Sequence, residues 1–310
     1  MSHAIIIPIY CENRNTINLC NELQNFGAEH IVVVNDGLNP KSEYFNELTS
    51  IGCHLVHLKN NNGKGASLKA GIKYAHDNLY NITGYITCDA DGQHTANDVM
   101  KISRMLDLRN GSLILGKRDY KKSKMPINIR IGNRLSSAYF KVITGKSCKD
   151  TQTGLRGIPA FLYDTVMKTK GSRFDFEMNF LTKCADMRVP FYFVNIIADC
   201  SNCSSNFRLI KDTYLIYRTP LRFATASIGC TIIDLVLFTI FAYILPSHMF
   251  FNIMLATLMA RVVSGGINFL INRKVIFGNT DNGAKQALRF FNTYFFVYSP
   301  LLFQSFLAPI

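Results

Sequence analysis

Short apolar runs alternate with amphipathic stretches over the first two thirds of the chain. Six of these runs have the length of buried strands, at residues 4–8, 31–34, 54–58, 84–88, 113–116 and 191–197. Between them, apolar residues recur at helical spacing in two sets: Leu19, Leu23 and Phe26, and Leu68, Ile72, Ala75 and Leu79. Strands that are apolar throughout and are separated by helices predict an α/β domain whose mostly parallel sheet is covered on both faces.

The last third of the chain has a different pattern, in which long apolar runs replace the alternation. Residues 221–245, 249–271 and 287–310 each provide roughly the 20 residues that a helix needs to cross a bilayer. We therefore predict a soluble domain at 1–205, an amphipathic juxtamembrane segment at 206–220, and a C-terminal α-helical transmembrane domain at 221–310 with about three spans.

The distribution of charge supports this division. Charged residues make up 18% of the chain, yet its last 90 residues contain only six Lys or Arg and two Asp or Glu. Four of those basic residues cluster around the link between the second and third predicted spans, and the link between the first two has none. This bias predicts a cytoplasmic soluble domain. Asp234 and Arg261 fall near the centres of the first two spans, and we expect them to pair because isolated charges there are costly.

The formal net charge of +13 raises the question of nucleic-acid binding. No recognition motif for nucleic acid accompanies the charge, and many of the basic residues lie at 117–124 or just before the first predicted span. A basic segment beside a membrane is typical of contact with anionic lipid. The charge therefore predicts a membrane partner and no nucleic acid.

Polar clusters follow five of the predicted strands, at residues 10–13, 35–37, 60–65, 89–94 and 117–118. The carboxyl ends of parallel strands meet at one edge of a sheet, where ligands of α/β proteins bind. Asp89 and Asp91 follow the fourth strand, and Gln93 adds a neutral oxygen. An isolated pair of this kind is often a solvated turn, but oxygen ligands at a strand exit are typical of Mg²⁺ or Mn²⁺ held against phosphates. The segment around Lys64 fits either a phosphate-binding helix start or a plain strand-to-helix turn.

Five motifs then resemble a known family: IPIYCEN, VNDG, NNGKGASLKAG, CDADGQH and DTQTGLRG, in this order over residues 3–215. They resemble family 2 glycosyltransferases of the Rossmann-like GT-A fold, and most of all the polyprenyl-phosphate (dolichyl-phosphate) hexose synthases. The C-terminal part is similar to a small multi-span domain associated with lipid-linked sugar translocation. The resemblance implies an inverting, multi-pass enzyme of the bacterial plasma membrane that moves a hexose from UDP-glucose or GDP-mannose to polyprenyl phosphate for cell-envelope glycosylation.

The resemblance also implies roles for individual residues. Metal binding falls to Asp89, Asp91 and Gln93. Catalysis is assigned to Asp91, Asp150, Arg118 and Arg130, the two arginines as phosphate ligands. The nucleotide-sugar is expected at Pro8, Tyr10, Glu12, Asp36, Lys64, Asp89, Gln93 and Arg208. The sugar or acceptor is expected near Gln152, Arg156, Arg173 and Glu177.

Two departures from the family pattern qualify these roles. Asn35 precedes Asp36 where the family has two acids, and Asn206 replaces the histidine that usually stands two residues before the arginine matched by Arg208. Two alternatives stay open: a transporter or scaffold with a non-catalytic transferase domain, and a family 2 transferase that acts on another membrane glycan. The resemblance also allows a homo-oligomer.

Overall fold

A computed structural model of the chain describes residues 2–119, 127–173, 175–197, 228–245 and 250–271. The chain forms two compact units, Met1–Ile216 and Tyr217–Ile310, and each is described by itself. The predicted juxtamembrane segment 206–220, the predicted third span 287–310 and Arg208 lie outside the described residues.

The first unit is built from strands that alternate with helices. Its sheet contains β1 (Ser2–Ile9), β2 (His30–Asp36), β3 (His54–Leu58), β4 (Ile82–Thr87), β5 (Leu113–Arg118), β6 (Arg156–Pro159) and β7 (Phe191–Ile196). Its helices are α1 (Arg14–Asn25), α2 (Glu43–Ser50), α3 (Lys64–Asn78), α4 (Ala96–Leu108), α5 (Ile127–Thr144), α6 (Tyr163–Lys168) and α7 (Asp175–Asp186), with a short 3₁₀ turn before α6. The six predicted strands are all present, with ends that differ by at most two residues.

The strand order is β3-β2-β1-β4-β6-β5-β7, and the order reverses direction between β1 and β4. The pairs β1–β2, β2–β3, β1–β4 and β5–β7 are parallel, whereas β6 runs antiparallel between β4 and β5. The predicted α/β, mostly parallel sheet is confirmed. Its antiparallel member β6 was not predicted, because a four-residue strand with Arg, Gly and Pro lacks a strand-like apolar pattern.

The apolar strands separate two helical layers. Ile5, Ile7 and Ile9 pack against α1, α2 and α4, while Ala4 and Ile6 pack against α3 and α5 to α7. Burial on both faces explains why β1 is apolar throughout. The expectation for Phe26 was wrong: it is the C-cap of α1, not part of its buried face, and its side chain is 52% exposed.

The second unit contains two apolar helices among its described residues, α8 (Ile228–Ile244) and α9 (Phe250–Ile271). Residues Asn252–Leu270 of α9 are long and apolar enough to cross a membrane by length and composition, and α8 is shorter. Ser264 on α9 donates a hydrogen bond of 2.7 Å to Asp234 on α8. The two helices therefore meet where Asp234 contacts Ser264, which is three residues from Arg261 on α9. A direct Asp234–Arg261 pair stays a prediction.

Candidate functional site

The carboxyl ends of β1 and β4 lie side by side, so the segments that follow them converge at one edge of the sheet. The first turn of α1 holds the loop after β4: Thr16 donates from its hydroxyl to the carbonyl of Ala90 (3.1 Å), and Asn15 donates from its amide to the carbonyl of Asp91 (3.4 Å). This edge is where the reversal of strand order opens a crevice in sheets of this kind.

Asp89 and Asp91 turn their carboxylates toward one point. The side-chain nitrogen of Gln93 donates to Oδ2 of Asp89 (3.2 Å) and to Oδ2 of Asp91 (2.9 Å). The backbone N–H of Gln93 donates to Oδ1 of Asp91 (3.1 Å), which fixes the turn. The two Oδ2 atoms therefore face a shared hydrogen-bond donor, and the two carboxylates together could hold a cation. The predicted metal-binding role of the Gln93 oxygen stays a prediction.

Lys64, at the start of α3, joins this acidic pair to a third carboxylate. Its Nζ lies 2.6 Å from Oδ1 of Asp89 and 3.2 Å from Oε1 of Glu177. Burial by itself lowers the pKa of Lys64, but the charges of Asp89 and Glu177 more than offset burial and raise this pKa above its usual value. Lys64 is thus held as an ammonium ion between two acids.

The two aspartates differ in their electrostatics. Burial opposes ionisation of Asp89, but Lys64 and the nearby His94 outweigh burial and hold the pKa of Asp89 well below its usual range. For Asp91, burial and then the charge of Asp89 raise the pKa. Among the described residues, Gln93 alone donates hydrogen bonds to the side chain of Asp91. Asp91 is therefore the carboxylate whose negative charge is least compensated.

Tyr10 borders the acidic pair from the end of β1. Its side chain is 45% exposed, so a ligand could reach it. Burial, its neighbour Cys11, and the charges of Asp91 and Asp89 raise the pKa of Tyr10 to about 12. The phenol therefore stays protonated at neutral pH and is a candidate donor to a bound ligand.

Asp36 positions the loop that delivers Lys64. Its two carboxylate oxygens accept hydrogen bonds from the backbone N–H groups of Asn62 (2.8 Å) and Gly63 (2.9 Å). Asp36 is buried at the end of β2. These two hydrogen bonds are enough to explain why an aspartate stands at this position, whether or not a ligand binds there. The predicted contact of Asp36 with base or ribose stays a prediction.

The glycines on either side of Lys64 allow the loop to pack closely against the segment before α7. A Cβ atom at Gly63 would lie 2.6 Å from Cγ of Arg173, and one at Gly65 would lie 2.4 Å from Cβ of Phe176. Gly63 also has a φ of +95°, which favours glycine. The glycines therefore serve packing, and a phosphate-binding role for this helix start stays a prediction.

Gly154 lies directly against Asp89 and was missed by the sequence analysis as a site residue. A Cβ atom there would lie 2.0 Å from Oδ2 of Asp89, so only glycine leaves room for this carboxylate. Its carbonyl accepts a hydrogen bond of 2.7 Å from the hydroxyl of Thr87, the last residue of β4. The glycine of the DTQTGLRG motif was the available signal.

His94 is a second residue that the sequence analysis did not assign to the site, although it ends the CDADGQH motif. It is buried, and its Nε2 lies 3.7 Å from Oδ2 of Asp89. The ring therefore borders the acidic pair from the protein interior and helps to keep Asp89 ionised.

Arg118 and Asp150, both predicted to be catalytic, form a buried ion pair with each other. Nε and Nη2 of Arg118 each donate a 2.8 Å hydrogen bond to a different oxygen of Asp150. Asp150 is fully buried and Arg118 is 6% exposed. The structure thus gives both residues a positioning role, and their predicted contacts with phosphate and acceptor stay predictions.

Arg156 also serves the protein interior. Its guanidinium donates to the carbonyls of Thr153 (2.9 Å), Glu177 (3.0 Å) and Thr151 (3.1 Å), and the residue is 2% exposed. These contacts tie the DTQTGLRG segment to α7 and hold Glu177 near Lys64. The predicted contact of Arg156 with sugar or acceptor stays a prediction.

The remaining predicted residues are more accessible. Tyr10, Glu12 and Arg173 are exposed, while Pro8, Arg130 and Gln152 are partly buried. Arg130 lies in the first turn of α5, and Gln152 donates its backbone N–H to Asp150 (3.3 Å). These side chains could contact ligands, whereas Arg118, Asp150 and Arg156 are held inside.

A family model for glycosyl transferase family 2 matches residues 4–164, just over half of the chain. The chain belongs to this family. The matched region contains the acidic pair, Lys64 and the Arg118–Asp150 pair, and ends in α6.

Relatives from archaea agree with this assignment. Protein MJ1222 of Methanocaldococcus jannaschii, whose function is uncharacterised, is 32% identical over 188 residues, covering 57% of this chain and 73% of the relative. The UDP-N-acetylglucosamine–dolichyl-phosphate N-acetylglucosaminyltransferase of Methanococcus voltae is 29% identical over 172 residues, covering 49% of this chain and 67% of the relative. Glycosyltransferase AglJ of Haloferax volcanii is 26% identical over 188 residues, covering 59% and 58%.

Solved structures share the fold of the first unit. Glucosyl-3-phosphoglycerate synthase of Mycobacterium tuberculosis, in complex with UDP, has a TM-score of 0.53 at 11% identity and covers 70% of this chain and 79% of that one. The same enzyme with Mn²⁺, UDP-glucose and glycerol 3-phosphate has a TM-score of 0.52 at 12% identity and covers 71% and 78%. The GT-A-like fold predicted for this family 2 domain is confirmed.

The oxygen ligands at the β4 exit fit a divalent cation only in part. In the described part of the chain, no three His, Cys, Asp or Glu side chains converge as a metal site would require. Two carboxylates do converge, and Mg²⁺ is commonly bound by one or two carboxylates together with substrate phosphates. The residues therefore fit a metal that completes its coordination with a phosphorylated ligand.

Proposed function

We propose that this family 2 glycosyltransferase is a membrane-bound inverting enzyme that transfers a sugar from a nucleotide-sugar to polyprenyl phosphate. The convergence of Asp89 and Asp91 at the β4 exit carries the proposal. An incompletely compensated pair of carboxylates at the switch point of the sheet suits a metal-bound diphosphate.

The donor diphosphate would lie over the acidic pair. Asp89 and Asp91 would hold Mg²⁺ or Mn²⁺, with Gln93 as the third predicted ligand, and the metal would supply charge neutralisation to the departing nucleoside diphosphate. Exposed Tyr10 and Glu12 would line the donor pocket. The floor of this pocket would be held in place by Lys64, by its partner Glu177, and by Asp36, which fixes the loop before Lys64.

The reaction needs little acid–base chemistry. A phosphate oxygen of the lipid attacks the anomeric carbon of the sugar, and a new carbon–oxygen bond forms as the bond to the diphosphate breaks. The bonding electrons leave with the nucleoside diphosphate, and in-line attack inverts the anomeric centre. Because the lipid phosphate is already anionic, catalysis would come mainly from positioning and charge stabilisation. Arg130 is the more accessible of the two arginines proposed to bind phosphate.

The lipid acceptor is supported by two observations. The Methanococcus voltae relative is named as acting on dolichyl phosphate. The second unit exposes large apolar side chains on both described helices, including Leu235 at 67% and Val262 at 65%, as expected of a lipid-facing surface. We propose that residues 221–310 anchor the enzyme through about three spans and keep the first unit at the cytoplasmic membrane surface.

The purified full chain tests this function. Polyprenyl phosphate is supplied in vesicles with labelled UDP-glucose, UDP-N-acetylglucosamine, UDP-galactose or GDP-mannose, and lipid-extractable label is measured. We expect one donor to give a lipid-linked product that requires Mg²⁺ or Mn²⁺; UDP-glucose and GDP-mannose are predicted from the sequence. Asp91→Asn is the inactive control. Transfer to a glycan without polyprenyl phosphate, or no turnover with any donor, would favour the two alternatives.

A further inference from the structure

Lys64 occupies the centre of an acidic cluster that is close to charge balance without any ligand. The carboxylates of Asp89 and Glu177 contact its ammonium group, and a third carboxylate, that of Asp91, is linked to Asp89 through Gln93. Arg156 is the second basic group, with Nη2 3.9 Å from Glu177. With all five groups ionised, the cluster has a net charge of minus one. A divalent cation alone would therefore leave it with a net positive charge.

The bonding of Asp89 makes Lys64 a neighbour of any metal held there. Nζ of Lys64 lies 2.6 Å from Oδ1 of Asp89. The other oxygen of this carboxylate, Oδ2, accepts a hydrogen bond from Gln93, which also donates to Asp91. A cation held by Asp89 and Asp91 would thus share Asp89 with the ammonium group. Like charges about 5 Å apart repel each other, and at an effective dielectric constant of about 20 this repulsion weakens binding of the second charge by well over tenfold.

The backbone prevents Lys64 from moving away freely. Its helix start is held by Asp36 at Gly63, by the carbonyl of Ser172 at Ala66, and by the close packing of Gly65 against Phe176. Glu177, the second carboxylate that contacts the ammonium group, is itself buried and is held through its backbone carbonyl by Arg156. The position of the positive charge is therefore built into the fold.

We propose that Lys64 is a resident counter-cation that weakens binding of the metal alone and so makes metal binding depend on the donor diphosphate. The negative charge of the diphosphate would compensate the positive charge that the metal and Lys64 carry together. This inference rests on the proposed function and adds a role for Lys64 beyond nucleotide contact. By linkage, the metal must strengthen diphosphate binding by the same factor as the diphosphate strengthens metal binding.

Calorimetry of the purified full chain with Mn²⁺, with and without UDP, tests the proposal. In the native protein we expect UDP to tighten Mn²⁺ binding. In Lys64→Met, Mn²⁺ alone should bind about tenfold more tightly or better, and UDP should add less. Lys64→Arg keeps the charge and should stay close to the native values. Lys73→Met is the matched control, because Lys73 lies on the same helix with its side chain 62% exposed.

Glu177→Gln provides a second measurement, which decides the question if Lys64→Met fails to fold. It makes the cluster more positive, so Mn²⁺ alone should bind about tenfold more weakly and UDP should add more. Unchanged or weaker Mn²⁺ binding in folded Lys64→Met, or unchanged binding in Glu177→Gln, would overturn the role of Lys64. If the native chain binds no Mn²⁺ even with UDP, the metal part of the proposed function fails instead.

Discussion

The exits of β4 and β5 both bring carboxylates and basic side chains together, and they differ in how completely the charges are paired. At the β5 exit, Arg118 and Asp150 make two hydrogen bonds of 2.8 Å to each other in the interior. At the β4 exit, Asp89 shares Lys64 with Glu177, and Asp91 has only Gln93 as a donor among the described residues.

This difference separates a holding role from a binding role. A buried pair with both partners in place is close to neutral, and removing either partner is costly. A group whose environment opposes its ionised form retains the capacity to bind a cation, and such groups concentrate at functional sites. We therefore expect ligand chemistry at the β4 exit and a supporting role for the β5 exit.

The largest expected effect is on turnover, from Asp91→Asn. Loss of this proposed metal ligand should reduce formation of the proposed lipid-linked product by about 10³-fold, the scale of losing a main electrostatic contact in the transition state. Burial and Asp89 raise the pKa of Asp91, so its ionised form destabilises the folded protein at neutral pH. Thermal unfolding of the variant should therefore occur at the same temperature or higher. Full activity, or strong destabilisation, would contradict the contrast between the two exits.

Asp150→Asn should have its main effect on stability. It leaves the guanidinium of Arg118 buried without its counter-charge, which typically costs about 3–5 kcal/mol. We expect the thermal midpoint of the detergent-purified chain to fall by roughly 6 °C or more. Replacing both partners, as in Arg118→Met with Asp150→Leu, should recover part of that loss. A native midpoint with lost turnover would instead make Asp150 a direct catalytic residue.

Gly154→Ala tests how closely the two regions are coupled. The new Cβ would collide with Asp89, which the structure places 2.0 Å from that position. A displacement of about 1 Å in a catalytic group can cost about 10²-fold in rate, and we expect a loss of that order. Gly132→Ala on α5 is the matched control, because the nearest atom to its Cβ would be 4.0 Å away. That control should retain activity and gain up to about 1 kcal/mol.

The sequence alone was enough to predict most of the sheet and the convergence of Asp89 and Asp91 at the exit of β4. Strands such as β1 are buried on both faces, so their apolar runs are unbroken, and the acidic residues after β4 stand out because they follow such a run. Local pattern failed at β6, where pairing with β4 and β5 stabilises four residues with little intrinsic strand character.

The roles of individual charged residues were harder to predict, because they depend on partners distant in the chain. Lys64 meets Asp89 and Glu177 only after folding, and Arg118 meets Asp150 across 32 positions. The DTQTGLRG motif marks Asp150 and Arg156 as clearly as CDADGQH marks Asp91, and the polar cluster at 117–118 marks Arg118. Yet Arg118, Asp150 and Arg156 bond to the protein itself. Spacing along the chain cannot distinguish a residue that holds the site from one that meets the ligand.

The smallest expected effect is the pH dependence of the stability difference between Asp91→Asn and the native chain. Both proteins are free of metal, with a chelator present, and unfolding free energies are compared from pH 3 to pH 8. The pKa of Asp91 is raised in the folded protein above its reference value of 3.8, so the proton favours folding. Below that reference value Asp91 is protonated in both states, and the difference should be small.

As the pH rises from about 4 through the folded pKa of Asp91, the native chain loses the stability that the proton gave, whereas the variant does not. The unfolding free energy of the variant should therefore rise relative to that of the native chain over this interval, by about 1.4 kcal/mol for each unit by which folding raises the pKa of Asp91. At higher pH the difference should stay constant. Asp89→Asn should show the opposite trend, since the pKa of Asp89 is held below its usual range and its charge favours folding at neutral pH. Parallel profiles for the two variants would mean that Asp89 and Asp91 are paired alike, and the contrast between the β4 and β5 exits would lose its electrostatic basis.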